Sequence, residues 1–484
     1  MLVFTPGCIQ DGTCGSRGRA NITGTYARDQ QEPIFIETYQ TNNFDKYDIV
    51  YTGYVDAADS GFRPSITLTA SSGQAGFLTV VAQKVEFDLI SNSTRGLNGL
   101  YEYKPGSKDV SNFQESIVIQ SSQQLESGAQ VFALTTQGST LYAAGNFTSK
   151  TSNDGFNYVF AIQDSGPSAL GGKGLNGAIW TILAADDNKI YVGGDFTNTE
   201  DSTTTGINRV AVYDTQSKAW SPMGAGVNGR VVDLVSLKIE ISGDALDVIA
   251  VTGSFTEILA SDSNPAVTTD GFAIWVPSKN DWLARLYTTT AIDGSLTVST
   301  AVGDQQLFAG TLEVNDLLAS GAVSVEDNNQ LSLKPLPLKF IEFDTNTTVP
   351  SNLTTIQKRA TPIQKIQGVI TGVFYQDSGK DLIIIGGHFS VEGKNGQVDN
   401  LAIIDGDNIT GLNGVNSTST FSALHVHSGI LYAGGAISGR VGQVDVSGLV
   451  LYDLVNGKMA DDQPPGLRGE LVITAHVVTL LIPT

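Results

Sequence analysis

Basic residues are scarce in this sequence. Its 484 residues hold 28 Lys and Arg against 49 Asp and Glu, a formal net charge of -21 with a pI near 4.4. The few basic side chains are scattered, with no Lys/Arg-rich run. Nucleic-acid affinity is dominated by cationic contacts to phosphate, so a nucleic-acid partner is excluded as a reading. Anionic membrane surfaces are disfavoured on the same ground. Long apolar runs are also missing: no stretch approaches the ~20 residues that span a bilayer. The most apolar segment is the tail LVITAHVVTLLIPT, which is too short and contains His476. Met1 is followed by LVFTPG, with neither a basic nor an apolar leader region, so no signal peptide is read here.

Cysteine is nearly absent. The two that occur, Cys8 and Cys14 in GCIQDGTCG, could be half of a metal or redox site or a small local disulfide. A metal would need further soft ligands and a redox pair is more typically C-x-x-C, so the disulfide is favoured, implying an oxidising compartment. Seven N-glycosylation sequons suit that compartment: Asn21, Asn92, Asn146, Asn346, Asn352, Asn408 and Asn416. Asn21, Asn346 and Asn352 are expected to carry glycans before Asn146.

What is present is a chain that can bury a core. It is 41% hydrophobic and 16% charged, and it is rich in glycine (53 residues). That composition suits short strands and tight turns rather than disorder or helices. PIFIETYQ, DIVYTGYV, SITLTA and FLTVVAQKVEFDLI read as strands separated by turn clusters, and predict a small antiparallel, jelly-roll-like β-sandwich over residues 1–94.

From about residue 95 the sequence repeats. LYAAGNFTS (141–149) returns as IYVGGDFTN, IAVTGSFTE, LFAGTLEVN, IIIGGHFSV and LYAGGAISG. A second element recurs as YVFAIQD, RVAVYDT, GFAIWVP, LAIIDGD and LVLYDLV. A third is a G-x-N-G turn at residues 96–99, 174–177, 226–229 and 411–414, with GLRG at 466–469 a degenerate copy. Phe147, Phe196, Phe255, Leu312, Phe389 and Ile437 mark successive copies, 48 to 77 residues apart. Units of several strands near fifty residues predict a kelch-like β-propeller over 95–484. Six units are complete, and a seventh is expected to begin at LVLYDLV and to remain incomplete. Leu141 and Ala143 should face one side of a blade and Tyr142 the other. The glycines should allow close backbone approach and positive φ, and the following Asp or Asn should bond back to the turn's own amides. The Phe should plug the space between blades.

Signs of catalysis are thin. His425 and His427 share one strand face at a spacing that metals use, but no third ligand is adjacent, and Leu424 and Val426 read as the core-facing set. His388 stands where other copies have Asp or Asn, as a variant of the repeat. The pairs Asp186-Asp187 and Asp461-Asp462 would have to converge across a cleft to serve glycoside hydrolysis, and both read as solvated turn acids. No G-x-S-x-G, P-loop, H-E-x-x-H or EF-hand spacing occurs. No catalytic, cofactor-binding or metal residue is assigned, and no cofactor is expected. A carbohydrate-binding or kelch-type carbohydrate oxidase is the alternative reading on the same fold. Lys358-Arg359 is a dibasic pair in the longest gap between repeats, read as an ordinary loop pair with processing as its alternative.

FTPGCIQDGTCGSRGRANITGTY, ETYQTNNFDKYDIVYTGYVDA and the IYVGGDFT-type repeats together resemble the fungal cortical marker of cell polarity, the bud-site-selection surface protein family. The resemblance covers nearly the whole chain. It implies a non-enzymatic extracellular scaffold for polarised growth, contacting other surface polarity proteins or cell-wall components. It also implies a location at the outer face of the plasma membrane, the cell cortex, the bud neck or the division site. Family members resemble single-pass glycoproteins, so membrane attachment would come through a segment absent from this chain, which is expected to be a piece of the extracellular part.

Overall fold

The computed structural model describes, with short interruptions, residues 1–87, 100, 116–286, 292–335 and 368–464, the span 292–335 by its backbone. The chain is all-β, with only short helical turns among the described residues.

Six short strands come first: β1 (Leu2–Thr5), β2 (Arg19–Thr25), β3 (Ile34–Tyr39), β4 (Lys46–Ile49), β5 (Ser65–Ala70) and β6 (Lys84–Glu86). They form two antiparallel three-stranded sheets, ordered β4-β1-β6 and β3-β2-β5. Val3, Ile22, Ile36 and Val50 form the apolar cluster of this module. Cys8 is buried and joined to Cys14 as a disulfide, their Cα atoms 4.8 Å apart.

Among the described residues six four-stranded antiparallel sheets follow. Sheet I holds β7 (Gln130–Gln137), β8 (Thr140–Asn146), β9 (Val159–Gln163) and β10 (Gly166–Ala169). Sheet II holds β11 (Ile179–Ala185), β12 (Lys189–Gly194), β13 (Val210–Asp214) and β14 (Ala219–Pro222). In sheet III, β15 (Arg230–Ile241) and β16 (Asp244–Ser254) precede a small hairpin, β17 (Glu257–Ile258) with β18 (Val267–Thr268); β19 (Phe272–Val276) and β20 (Asp281–Trp282) complete the sheet. Sheet IV is β21 (Ile292–Val302), β22 (Gln305–Val314), β23 (Leu317–Asp327) and β24 (Leu331–Pro335). Sheet V is β25 (Gly368–Asp377), β26 (Lys380–Gly393), β27 (Gly396–Asp405) and β28 (Asn408–Thr410). Sheet VI is β29 (Thr420–His427), β30 (Ile430–Val441), β31 (Val444–Asp453) and β32 (Lys458–Met459).

Each sheet is a simple meander, first strand to fourth, and the first strand of one sheet packs against the sheet before it. The period-two pattern of the central strands makes this possible, because alternate side chains leave opposite faces. Leu141 and Ala143 join the cluster on one side of sheet I, and Tyr142 and Ala144 the cluster shared with sheet II. Tyr191 and Val210 of sheet II meet Val231 and Leu234 of sheet III. Leu401 and Ile403 of sheet V meet Phe421 and Leu424 of sheet VI. Phe147, Phe196, Phe255, Phe389 and Ile437 are all buried, as the repeat requires. Leu312 falls in the span described by backbone alone.

The sheets correct the phase of the repeat. LVLYDLV does not open a seventh unit: it lies at the end of β31, the third strand of sheet VI, and β32 completes that sheet. The sheet boundary falls at the Gly-x-Asn turn, so each YVFAIQD-type segment is a third strand. The fourth copy of that turn is also displaced, because its structural role belongs to Gly414-Val415-Asn416 rather than Gly411-Leu412-Asn413-Gly414.

Candidate functional site

The construction of one end of the sheets begins with a bulge. In all six first strands the register slips by one residue at the same place, around Phe132, Trp180, Val232, Thr297, Ile370 and Ser422. A bulge bends the strand and re-aims its side chains. Opposite each one lies a glycine of the second strand: Gly145, Gly194, Gly253, Gly310, Gly387 and Gly435. A Cβ on Gly145, Gly194 or Gly253 would stand 2.0–2.1 Å from a carbonyl oxygen of the bulged strand. Positive φ is not their reason: these three glycines do not have it, and close approach alone excludes a side chain.

In sheets I, II, III and VI the connection entering the sheet is stitched to the far end of that sheet's second strand or to the chain just beyond it. Leu125 bridges Ser149, Leu175 bridges Thr199, Val227 bridges Ile258 and Val415 bridges Gly439. In sheets II and III an asparagine clamps the Phe-Thr turn. Asn176 Oδ1 accepts from the N–H groups of Thr197 and Asn198 at 2.8 and 3.1 Å. Asn228 Oδ1 accepts from Thr256 and Glu257 at 2.9 and 3.1 Å, and its Nδ2 donates to Thr256 Oγ1. Asn416 donates through its N–H to the Ser438 carbonyl at 2.8 Å and through Nδ2 to Ser438 Oγ at 3.0 Å.

This corrects the expectation for the acidic residue of the turn. Asp195 does not bond back to local amides; its carboxylate receives Arg230 Nε at 2.9 Å, Arg230 Nη2 at 2.7 Å and Trp180 Nε1 at 3.0 Å. The Arg230 guanidinium lies over the Trp180 ring, 4.8 Å from its centroid, and that ring stacks on Phe132. Arg209 Nη1 donates to the Asp195 carbonyl. Burial pushes the Asp195 carboxyl up, but the charge and hydrogen bonds of Arg230, the Trp180 N–H and Arg209 together hold it below the usual carboxylate range.

The N-terminal module docks at this end of the sheets. Arg230 Nη1 also donates to the Val50 carbonyl at 3.4 Å. Ser254 Oγ donates to the buried Asp48 carboxylate at 2.8 Å, which also takes Thr38 Oγ1 and Lys46 Nζ. Thr256 Oγ1 donates to Glu37 Oε2 at 3.1 Å, and Arg19 Nη2 to the Thr256 carbonyl. Burial raises the Asp270 carboxyl against the opposing pull of Arg19, Thr41 and Lys46. The resulting site is a charge-paired seam between the small module and sheet III, with Asp195 of sheet II joined to it through Arg230.

The other candidates lie apart from this seam. Asn21 sits on β2, where its Oδ1 accepts from Ser71 Oγ at 2.7 Å. Asn146 ends β8, half-buried; Asn408 opens β28, with its Oδ1 buried; Asn416 is exposed. Asn92, Asn346, Asn352, Lys358-Arg359, Asp186-Asp187 and His476 lie outside the described residues. Asp461 pairs with Lys458 at 2.9 Å on an exposed surface, and its neighbour Asp462 is exposed too. His425 and His427 lie on β29, where burial and then His427 push His425 down. His388 Nδ1 is 3.3 Å from the Ser419 carbonyl. Among the described residues no three His, Cys, Asp or Glu side chains converge as a metal cluster.

The family model described as "Rax2 third domain" matches residues 1–90. The chain is 40% identical, over 97% of its length, to "Polarized growth protein L1" of Phoma sp.. It belongs to the fungal Rax2 family. The match to "Polarized growth protein rax2" of Schizosaccharomyces pombe is 30% identical over 59% of the chain, and that to "Bud site selection protein RAX2" of Saccharomyces cerevisiae is 33% over 24%. This Rax2-family chain spans 36%, 24% and 10% of those three relatives, so it corresponds to a part of each. A solved structure, "Structure of YjhT", covers 68% of the chain at 12% identity with a TM-score of 0.31, a likeness too slight to carry an argument. Among the described residues of this family member no helix is long and apolar enough to cross a membrane.

The seam was not visible in the sequence reading, and neither was one recurring backbone feature. A residue at the third strand takes positive φ in five sheets: Tyr158 at 64°, Arg209 at 67° and Gly271 at 78° just before β9, β13 and β19, and Asn400 at 66° and Gly448 at 77° within β27 and β31. The signal was available in Asn157, Asn208, Asp270, Asp399 and Ser447, a short polar residue just ahead of each.

Proposed function

We propose that this chain is a non-enzymatic, extracellular scaffold segment of a fungal polarised-growth landmark. Its six sheets are the blades of a kelch-like propeller, and the N-terminal module is fixed to sheet III and, through Arg230, to its neighbour. Partner surface proteins or wall glycans would bind the faces that this rigid body presents. The observation that carries the reading is the double use of Arg230, which ties Asp195 of sheet II and Val50 of the module into one unit. Buried ion pairs of this kind are better suited to fixing one geometry than to adding stability. The names of the relatives supply the setting, polarised growth and bud-site selection.

The test replaces Arg230 by alanine in the full-length protein in its own cell and scores site selection together with surface abundance. The reading expects misplaced growth sites at normal abundance. Normal site selection from a protein whose module has been released would overturn it. So would turnover of a glycan by the purified protein.

A further inference from the structure

The sheet of β3, β2 and β5 has two unlike faces. Ile22, Ile36 and Leu68 lie on the inner face, in or against the apolar cluster of the module. The pleat turns Asn21 and Thr23 of β2, Phe35 and Glu37 of β3, and Thr67 and Thr69 of β5 to the outer face. The register sets Thr23 between Phe35 and Thr67, and Asn21 between Glu37 and Thr69. Phe35 is 63% exposed, more than any other large apolar side chain among the described residues. A lone exposed phenylalanine needs no explanation by itself. This one stands among polar side chains, diagonal to the asparagine of the Asn21-Ile22-Thr23 sequon.

We propose that Asn21 carries an N-linked glycan and that its first N-acetylglucosamine lies on the Phe35 ring. This rests on the extracellular reading above. Both ends of the sequon are on the outer face, because residues two apart on a strand point the same way. Ser71 Oγ donates to Asn21 Oδ1 at 2.7 Å and holds the carboxamide, while Nδ2 makes no hydrogen bond among the described residues. At two other described sequons, Asn416 uses its Nδ2 on Ser438 Oγ at 3.0 Å and Asn408 has its Oδ1 buried. Protein closes one side of Asn21. Glu37, its direct partner, accepts from Thr256 Oγ1, and Arg19 donates to the Thr256 carbonyl. A sugar on Nδ2 is therefore turned the other way, toward Thr23 and Phe35. Diagonal neighbours on a sheet stand roughly 7–8 Å apart, a gap that one pyranose ring fills.

The donor is a lipid-linked diphosphate oligosaccharide of the secretory pathway. Asn21 Nδ2 bonds to C1 of its terminal N-acetylglucosamine as the C1–O bond to the diphosphate breaks. The departing diphosphate keeps the electron pair, and the amide nitrogen gives up one proton. The attached pyranose has an apolar face of C–H groups. Those hydrogens are slightly positive and the face of an aromatic ring is negative, so the two stack. The hydroxyls of Thr23 and Thr67 border the ring and suit the polar rim of the sugar. The sugar gives Phe35 the cover that no described side chain supplies. A glycan held in this way shields the outer face of the module from partner proteins.

The full-length protein purified from its own cells tests the idea in wild type, Phe35→Ala, Phe35→Tyr and Asn21→Gln. Glycopeptide mass spectrometry should find Asn21 occupied in the first three, and Asn21→Gln should lose one glycan. Release of that glycan from the native protein by a peptide N-glycosidase should be about fivefold faster in Phe35→Ala than in wild type, as one aromatic stack implies. Phe35→Tyr keeps the ring and should release slowly, and all forms should release alike once denatured. An empty Asn21 beside other occupied sequons overturns this inference and leaves the extracellular reading standing, whereas no glycan at any sequon defeats both. Equal release from native wild type and Phe35→Ala overturns the stack. So does an Asn21→Gln protein that binds wall polysaccharide through Phe35, because the face would then serve a partner's sugar.

Discussion

The carboxylate of Asp195, just past the end of β12, is gripped by the guanidinium of Arg230, the first residue of β15, through both Nε and Nη2. Removing either partner strands the other in a half-dry seam. Arg230→Ala should lower stability by about 3 kcal/mol. The double variant with Asp195→Ala should cost clearly less than the sum of the singles. Denaturant unfolding of the four proteins in a double-mutant cycle measures the coupling, and additive effects would mean that the pair is not held as described.

Gly194 tests the bulge. Gly194→Ala and Gly253→Ala place a methyl within about 2 Å of a backbone carbonyl, so each should cost more than the ~1 kcal/mol of an ordinary strained substitution. Gly15→Ala, where no atom lies within 4 Å, should be nearly neutral. Melting temperatures of the three variants give the answer.

Asn176 and Asn228 each satisfy two backbone N–H groups. Alanine at either should cost about 0.5–1.5 kcal/mol by removing the acceptor of those donors, which water only partly replaces. Aspartate keeps the acceptor and loses the amide donor, so Asn228→Asp should recover part of the loss. Chemical denaturation of the Asn, Asp and Ala forms orders the three.

His425 makes sheet VI sensitive to acid. Its folded pKa lies below the ordinary histidine value because burial, and then His427, disfavours its charge. A proton therefore binds the unfolded chain more tightly, so this contribution is complete above about pH 6.5 and declines as pH falls below it. His425→Gln should flatten the fall in melting temperature between about pH 6.5 and 5. An unchanged slope would place the sensitivity elsewhere.

The all-β architecture was legible because its demands are local. Phe196 and Phe255 must be buried at every repeat, and Gly194 and Gly253 must lack a side chain, so both recur in the sequence at matching places. The phase of the repeat was less legible, since strand patterns such as LVLYDLV look alike in third and first positions. GLNGVNS contains two consecutive Gly-x-Asn triplets, and only the pairing of Val415 with Gly439 selects the second. The seam could not be read at all. Arg230 and Asp195 are 35 positions apart, and Arg19 and Thr256 are 237 apart. No periodicity joins such residues. The left-handed residue at the third strand of five sheets escaped notice because Tyr, Arg, Gly and Asn all occupy it, so the shared property is backbone conformation rather than side-chain type.

The stitching of Leu175 to Thr199 and of Val227 to Ile258 has a mechanical consequence. Each staple joins the chain entering a sheet to the chain leaving that sheet's second strand, so the first hairpin sits inside a closed loop. Tension along the backbone loads these staples before any strand of the hairpin begins to peel. A pulled molecule would then lengthen in discrete steps, one sheet at a time, and its yield force would be set by a few bonds at one rim rather than by the area of the core.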